Sequence, residues 1–400
     1  MRHTSLLAAL LLTPAAWCAP LQLGPPEDSG PFAVGWQDVS FSHPLAGNPQ
    51  VDARLYYPAA VAGQGAAPDP SGGPFPQVGM LHGYFAFVDY YDDLCTHLAS
   101  WGFFVASVAT ESGFFMSVPD EAADAHAMLA WVEEQAGPGG PFDGMVTLGA
   151  AWSTVGHSNG GAASFHLANA EPRVRHMVLL EPNWLAPPGV SSFDGAVMVV
   201  GASQDIVAPA ALNAAVYFDQ LVASPRRFYT VIEGSGHNGS LDFPFEITTL
   251  SHEEAQALHR RLTGGFLRAE VQGEEDLYAQ LIGGAAQLEP LDPRSRATDP
   301  VLWALPSGVE LAMGIGADED DALGVLAIST LPATLPTAFG LVGVDLGGAL
   351  VVTTPMAGNG SVDVALPHGP SVIGLAVLVQ GLRLAPSGAG AVTRVAAAVL

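Results

Sequence analysis

The sequence predicts an α/β architecture: a mostly parallel sheet with helices on both faces, followed by a small all-β C-terminal domain. Three observations point there. Between residues 78 and 264, short apolar strands alternate with helical segments. Within that alternation sits Gly156-His157-Ser158-Asn159-Gly160-Gly161, which reads as a sharp strand-to-helix turn with a serine at its apex. After about residue 285 the helical period is lost and only β-type runs remain.

Residues 1–18 read as a secretory signal. Arg2 and His3 give a polar start, Leu6 to Leu12 an apolar run, and Ala16 and Cys18 small residues at the cleavage-determining positions. The run is too short to span a bilayer, so no transmembrane anchor is expected. Bulky Trp17 disfavours lipidation at Cys18, and a secreted or periplasmic location follows. Cys95 then remains as one thiol, read as a small buried hydrophobe within a helix.

Residues 30–285 are the expected main domain. Extended stretches at 32–41 and 51–57 precede a Gly/Pro/Ala loop at 62–76. Strands follow at 78–81, 103–108, 152–155, 176–180, 196–200 and 227–232. Helices are expected at 90–101, 120–134, 160–170, 209–222 and 251–264, with right-handed crossovers between parallel strands. Residues 286–300 hold Pro290, Pro293 and Pro300 among acids and read as a linker. Residues 301–400 read as a β-sandwich-like accessory domain, with strands at 323–328, 340–344, 349–353, 361–365, 371–380 and 391–400. Its run Asp318-Glu319-Asp320-Asp321 lacks the spaced ligands and glycine of an EF-hand and reads as a solvated acidic turn.

With 49% hydrophobic and 13% charged residues, the 400-residue chain has ample material for a core. Its net charge is −26, all 13 basic residues are arginine, and no basic stripe exists to neutralise phosphates. Nucleic acid is therefore not an expected partner. Absence of lysine removes Schiff-base chemistry and a Walker-type phosphate site. No metal or cofactor is expected, and the protein reads as a monomer.

A serine hydroxyl needs a base, and the base needs an orienting acid. Ser158 is the candidate nucleophile. Asp205, in the loop after strand 196–200, is the candidate acid, and His237, in the Gly-rich loop after strand 227–232, the candidate base. Glu181, after strand 176–180, is the competing acid. Two backbone N–H groups should hold an oxyanion. Asn159 follows the serine, and Tyr84 lies in the turn after strand 78–81. Tyr84, Phe85, Phe87 and Trp184 are candidate walls of a cleft for an apolar or aromatic group.

These motifs resemble the dienelactone-hydrolase-like branch of the α/β-hydrolases, especially bacterial cutinases and polyester (PET) hydrolases. Plant chlorophyllases and platelet-activating-factor acetylhydrolases are more distant. The resemblance runs over about residues 30–267. It lies in the Gly156–Gly161 elbow, Gly83-Tyr84, Gln204-Asp205-Ile206-Val207-Ala208-Pro209, Gly234-Ser235-Gly236-His237 and Trp184. It implies an α/β-hydrolase fold and cofactor-free cleavage of an ester, hydrophobic or polymeric, through an acyl-serine. Asn159 replaces the family's usual Met, His82 its usual Pro, and its C-terminal disulfide is missing. The alternative is an inactive hydrolase fold that binds a surface or polymer through residues 301–400.

Overall fold

The computed structural model describes residues 25–110, 116–243, 246–284, 286–307, 309–368 and 372–400. The expected signal at 1–18, with Cys18, lies outside them. Strands β1 (Val34–Phe41) and β2 (Val51–Pro58) form an antiparallel pair, flanked by the two-residue β3 (Gly63–Gln64). The parallel centre comprises β4 (Gln77–Leu81), β5 (Phe104–Val108), β6 (Trp152–His157), β7 (Val174–Leu180), β8 (Ala196–Ala202) and β9 (Arg226–Ile232). Between them run α1 (Asp92–Ser100), α2 (Val118–Gln135), α3 (Asn159–Ala170) and α4 (Ala214–Gln220); α5 (His252–Leu267) and the short α6 (Tyr278–Leu281) follow β9.

Both faces of the centre are covered, so its strands are apolar on both sides. Along β7, Met177 and Leu179 join a core with α2, α3 and α4, while Val178 and Leu180 join a second core with α1, α5 and α6. The period of two in a strand divides the residues between these cores. Local signals set the helix starts. Ser117 caps α2 by accepting from Asp120 N–H, and Ser251 forms a capping box with Glu254 at α5.

The linker expectation is overturned. Residues 291–306 form the long strand β10 (Leu291–Pro306), whose first half pairs antiparallel with β9 from Leu291↔Ile232 to Ala297↔Arg226. Its second half pairs with β11 (Glu310–Asp318). Proline is tolerated because β11 leaves the first half open on one side and a register shift falls between Arg296 and Val301, around Pro300. The remaining strands are β12 (Leu323–Ser329), β13 (Pro332–Thr337), β14 (Gly340–Val344), β15 (Leu350–Pro355), β16 (Ser361–Pro367), β17 (Ala376–Leu384) and β18 (Gly390–Val399). β16 joins β11, extending the large mixed sheet in the order β16-β11-β10-β9-β8-β7-β6-β4-β5-β2-β1-β3. A second sheet runs β15-β12-β17-β18, and its Leu326, Ile328, Val377 and Val379 pack with Leu302, Met313 and Ile315 of the large sheet.

Two residues of the acidic turn are engaged in ion pairs, while Asp320 is exposed. Glu319 accepts from Arg294 and Arg296, and buried Asp321 from Arg383. Among the described residues no group of His, Cys, Asp and Glu is placed to hold a metal ion, and no helix is long and apolar enough to cross a membrane.

Candidate active site

The parallel strands end at one edge, and the loops leaving them gather there. β6 ends at His157, and α3 begins at Asn159. Ser158 between them is held at φ 54°, ψ −116°, a conformation L-residues rarely adopt. Close packing forces this turn. A Cβ on Gly156 would lie 2.3 Å from the Gly160 carbonyl oxygen, and one on Gly160 2.2 Å from that of Leu81. Ser158 N–H donates to the Leu180 carbonyl at 2.9 Å, which ties the turn to β7.

Three loops meet at the serine. His237 Nε2 lies 3.0 Å from Ser158 Oγ, and His237 Nδ1 lies 2.7 Å from Asp205 Oδ2. All three side chains are buried. Asp205 Oδ1 accepts from the N–H groups of Val207 and Ala208 at 2.8 and 2.7 Å, fixing the carboxylate plane. Burial disfavours a charged His237, yet the Asp205 hydrogen bond and charge outweigh it and hold the imidazole pKa above its ordinary value.

Glu181 does not reach His237. Its Oε1 lies 2.9 Å from His259 Nε2, deep beneath the site, and His259 Nδ1 donates to the Ala255 carbonyl at 2.7 Å. Burial raises the pKa of Glu181. Asn159 is the first residue of α3, and its side-chain oxygen accepts from Asn183 Nδ2 at 3.0 Å. A helix N-terminus favours negative charge, which suits the Asn159 N–H to a developing oxyanion.

A cleft of about 430 Å³ opens over Ser158 and His237, lined by Tyr84, Phe85, Phe87, Tyr90 and Leu241. Phe85 sits at φ 63° and meets Tyr84 edge-on at 4.7 Å. Trp184 is absent from this lining. Its N–H donates to Asn213 Oδ1 at 2.8 Å, and its ring packs edge-on against Tyr217 of α4 at 4.7 Å. The loop after β7 is thus tied to α4 through Trp184 and to the serine turn through Asn183, whose N–H donates to the Ser158 carbonyl at 3.0 Å. Tyr90 and Leu241 carry no motif in the sequence and join the cleft only through the fold.

The profile of the PETase family, described as PET hydrolase-like, matches residues 27–244, more than half of the chain. The chain belongs to this family. It is 26% identical over 242 residues to a cutinase of Thermobifida fusca, covering 58% of this chain and 74% of the cutinase. It is 27% identical over 241 residues to a bis(hydroxyethyl) terephthalate hydrolase of Streptomyces coelicolor, covering 58% and 72%. A shorter match to cutinase 1 of Thermobifida cellulosilytica is 29% identical over 85 residues, 21% of this chain and 32% of that protein. Membership in the PET hydrolase-like family implies the α/β-hydrolase fold, in keeping with the large mixed sheet and its flanking helices.

Proposed function

We propose that the protein is a serine hydrolase of carboxylic esters, cutinase-like or polyester hydrolase-like, working through an acyl-enzyme. The hydrogen-bonded chain Ser158–His237–Asp205 at the floor of an aromatic cleft carries this proposal. His237 Nε2 takes the hydroxyl proton as Ser158 Oγ attacks the ester carbonyl. Asp205 holds the Nδ1–H and stabilises the imidazolium. The N–H groups of Tyr84 and Asn159 hold the oxyanion. His237 returns the proton to the departing alcohol, and a water activated by the same histidine releases the acid. Exposed Tyr84, Phe85 and Phe87 at the mouth favour an apolar or aromatic substrate. The signal-like residues 1–18 support action outside the cytoplasm.

A fluorophosphonate should label Ser158, and Ser158→Ala should abolish turnover of p-nitrophenyl esters. Unlabelled Ser158, with full turnover in Ser158→Ala, would overturn the assignment.

A further inference from the structure

A buried hydrogen-bond chain runs beside Ser158, through His157 at the cleft wall, and joins three loops. Gly83 N–H donates to Tyr91 Oη at 3.0 Å. With that oxygen accepting, the Tyr91 O–H points at His157 Nδ1, 2.8 Å away. His157 then carries its proton on Nε2 and donates it to the His237 carbonyl oxygen at 2.9 Å. A backbone N–H only donates and a carbonyl only accepts, so the two ends fix the direction of every bond between them. With its proton on Nδ1 instead, a neutral His157 would face the His237 carbonyl oxygen with a second acceptor, and the chain would break at that end. Burial holds the His157 pKa well below its ordinary value and that of Tyr91 well above, so both stay neutral. Gly83 permits the approach, because a Cβ there would lie 2.8 Å from His157 Nδ1.

We propose that Tyr91 and His157 are positioning residues that hold the Gly83-Tyr84 turn and the His237 loop in one register across Ser158. This rests on the roles assigned above to Ser158, His237 and Tyr84. Gly83 immediately precedes the Tyr84 N–H, and His237 is the base itself. One relay therefore fixes the oxyanion donor and the base together. The loops concerned leave β4, β6 and β9.

The test uses full-length Tyr91→Phe, His157→Gln and His157→Leu. Fluorophosphonate labelling to completion counts competent Ser158, and turnover on a soluble p-nitrophenyl ester is expressed per labelled serine. Tyr91→Phe should lower kcat per labelled serine roughly 10- to 100-fold, with KM changed by no more than about twofold. His157→Gln keeps a donor for the His237 carbonyl and should retain more turnover than His157→Leu, which keeps none. A purely structural role would reduce the labelled fraction and leave kcat per labelled serine unchanged; that result overturns the relay. Should Tyr91→Phe fail to fold, equal kcat per labelled serine in His157→Gln and His157→Leu overturns it instead. Failure of the wild type to label at Ser158 overturns the nucleophile assignment, a separate outcome.

Discussion

Asp205 divides its carboxylate between two tasks: Oδ1 takes two backbone N–H groups, and Oδ2 takes His237. In Asp205→Asn the amide oxygen keeps the backbone bonds and turns the amide NH₂ toward His237 Nδ1. The imidazole then carries its proton on Nε2 and no longer accepts from Ser158. Turnover should fall on the order of 10⁴-fold with the fold intact by circular dichroism. Glu181→Gln should cost far less, because Glu181 bonds His259 and not His237. The base must be neutral to work, and its pKa lies above the ordinary value of about 6.5. The pH profile of kcat/KM should therefore be full at high pH and fall as pH drops through a midpoint above about 6.5. A midpoint below that value would contradict the environment seen around His237. That Ser158, Asp205 and His237 would meet at one sheet edge was legible in the sequence, because each sits in a loop directly after a buried strand. Tyr91 and His157 were not legible as a relay. Their partners are chosen by side-chain directions that spacing does not encode. The partners of Trp184 were not legible either, since the side chain of Asn213 takes up its backbone N–H.

At the level of elements, one helix was read too long. Residues 209–222 hold a 3₁₀ turn at Ala210–Leu212, a break at Asn213 (φ −130°, ψ −77°), and only then α4. Asn213 donates to the Pro209 carbonyl as well as accepting from Trp184, so its side chain offers the backbone an alternative to helix. Strand β10 was missed because its prolines and acids outweighed the alternate burial that runs from Leu291 to Ala297. The start of α1 supplies a further prediction. Asp242, in the segment after His237, accepts from the Asp93 N–H at 3.1 Å, while Gln256 lies beside it and Asp92 and Asp93 repel it. Burial, with those two neighbours, pushes its pKa up to about 7. A carboxyl whose pKa is higher folded than unfolded favours the folded state at low pH and loses that advantage as pH rises toward 7. Asp242→Asn keeps an acceptor and removes the charge. It should raise the Tm at pH 8 and leave it nearly unchanged at pH 4. An equal shift at both pH values would show that charge is not the cause.

For the whole molecule, the family match ends at residue 244, yet the sheet does not end there. Leu291, Ala297, Val301 and Trp303 belong to the same core as Phe228, Tyr278, Leu281 and Ile282. A chain cut at residue 285, at the end of the expected main domain, would strip those four side chains away and leave β9 as a bare edge. The loss is on the order of several kcal/mol in burial alone. Residues 1–285 should give less soluble protein and a lower Tm than the full chain; identical melting would refute the coupling. The break near 285 was legible as a change from helical to β-type pattern. Its meaning was not, because a strand shared by two packing environments looks like neither. β10 also governs how the protein would behave on a solid support. A catalytic head on a flexible leash swivels freely and samples every approach to a surface. Here the strand that leads on to the C-terminal strands lies in the same sheet as β9 and is zipped to it, and the end of β9 bears the His237 loop. Immobilising the protein through residues beyond 306 would mount it as on a bracket, and the direction in which the cleft faces would be set by the attachment point.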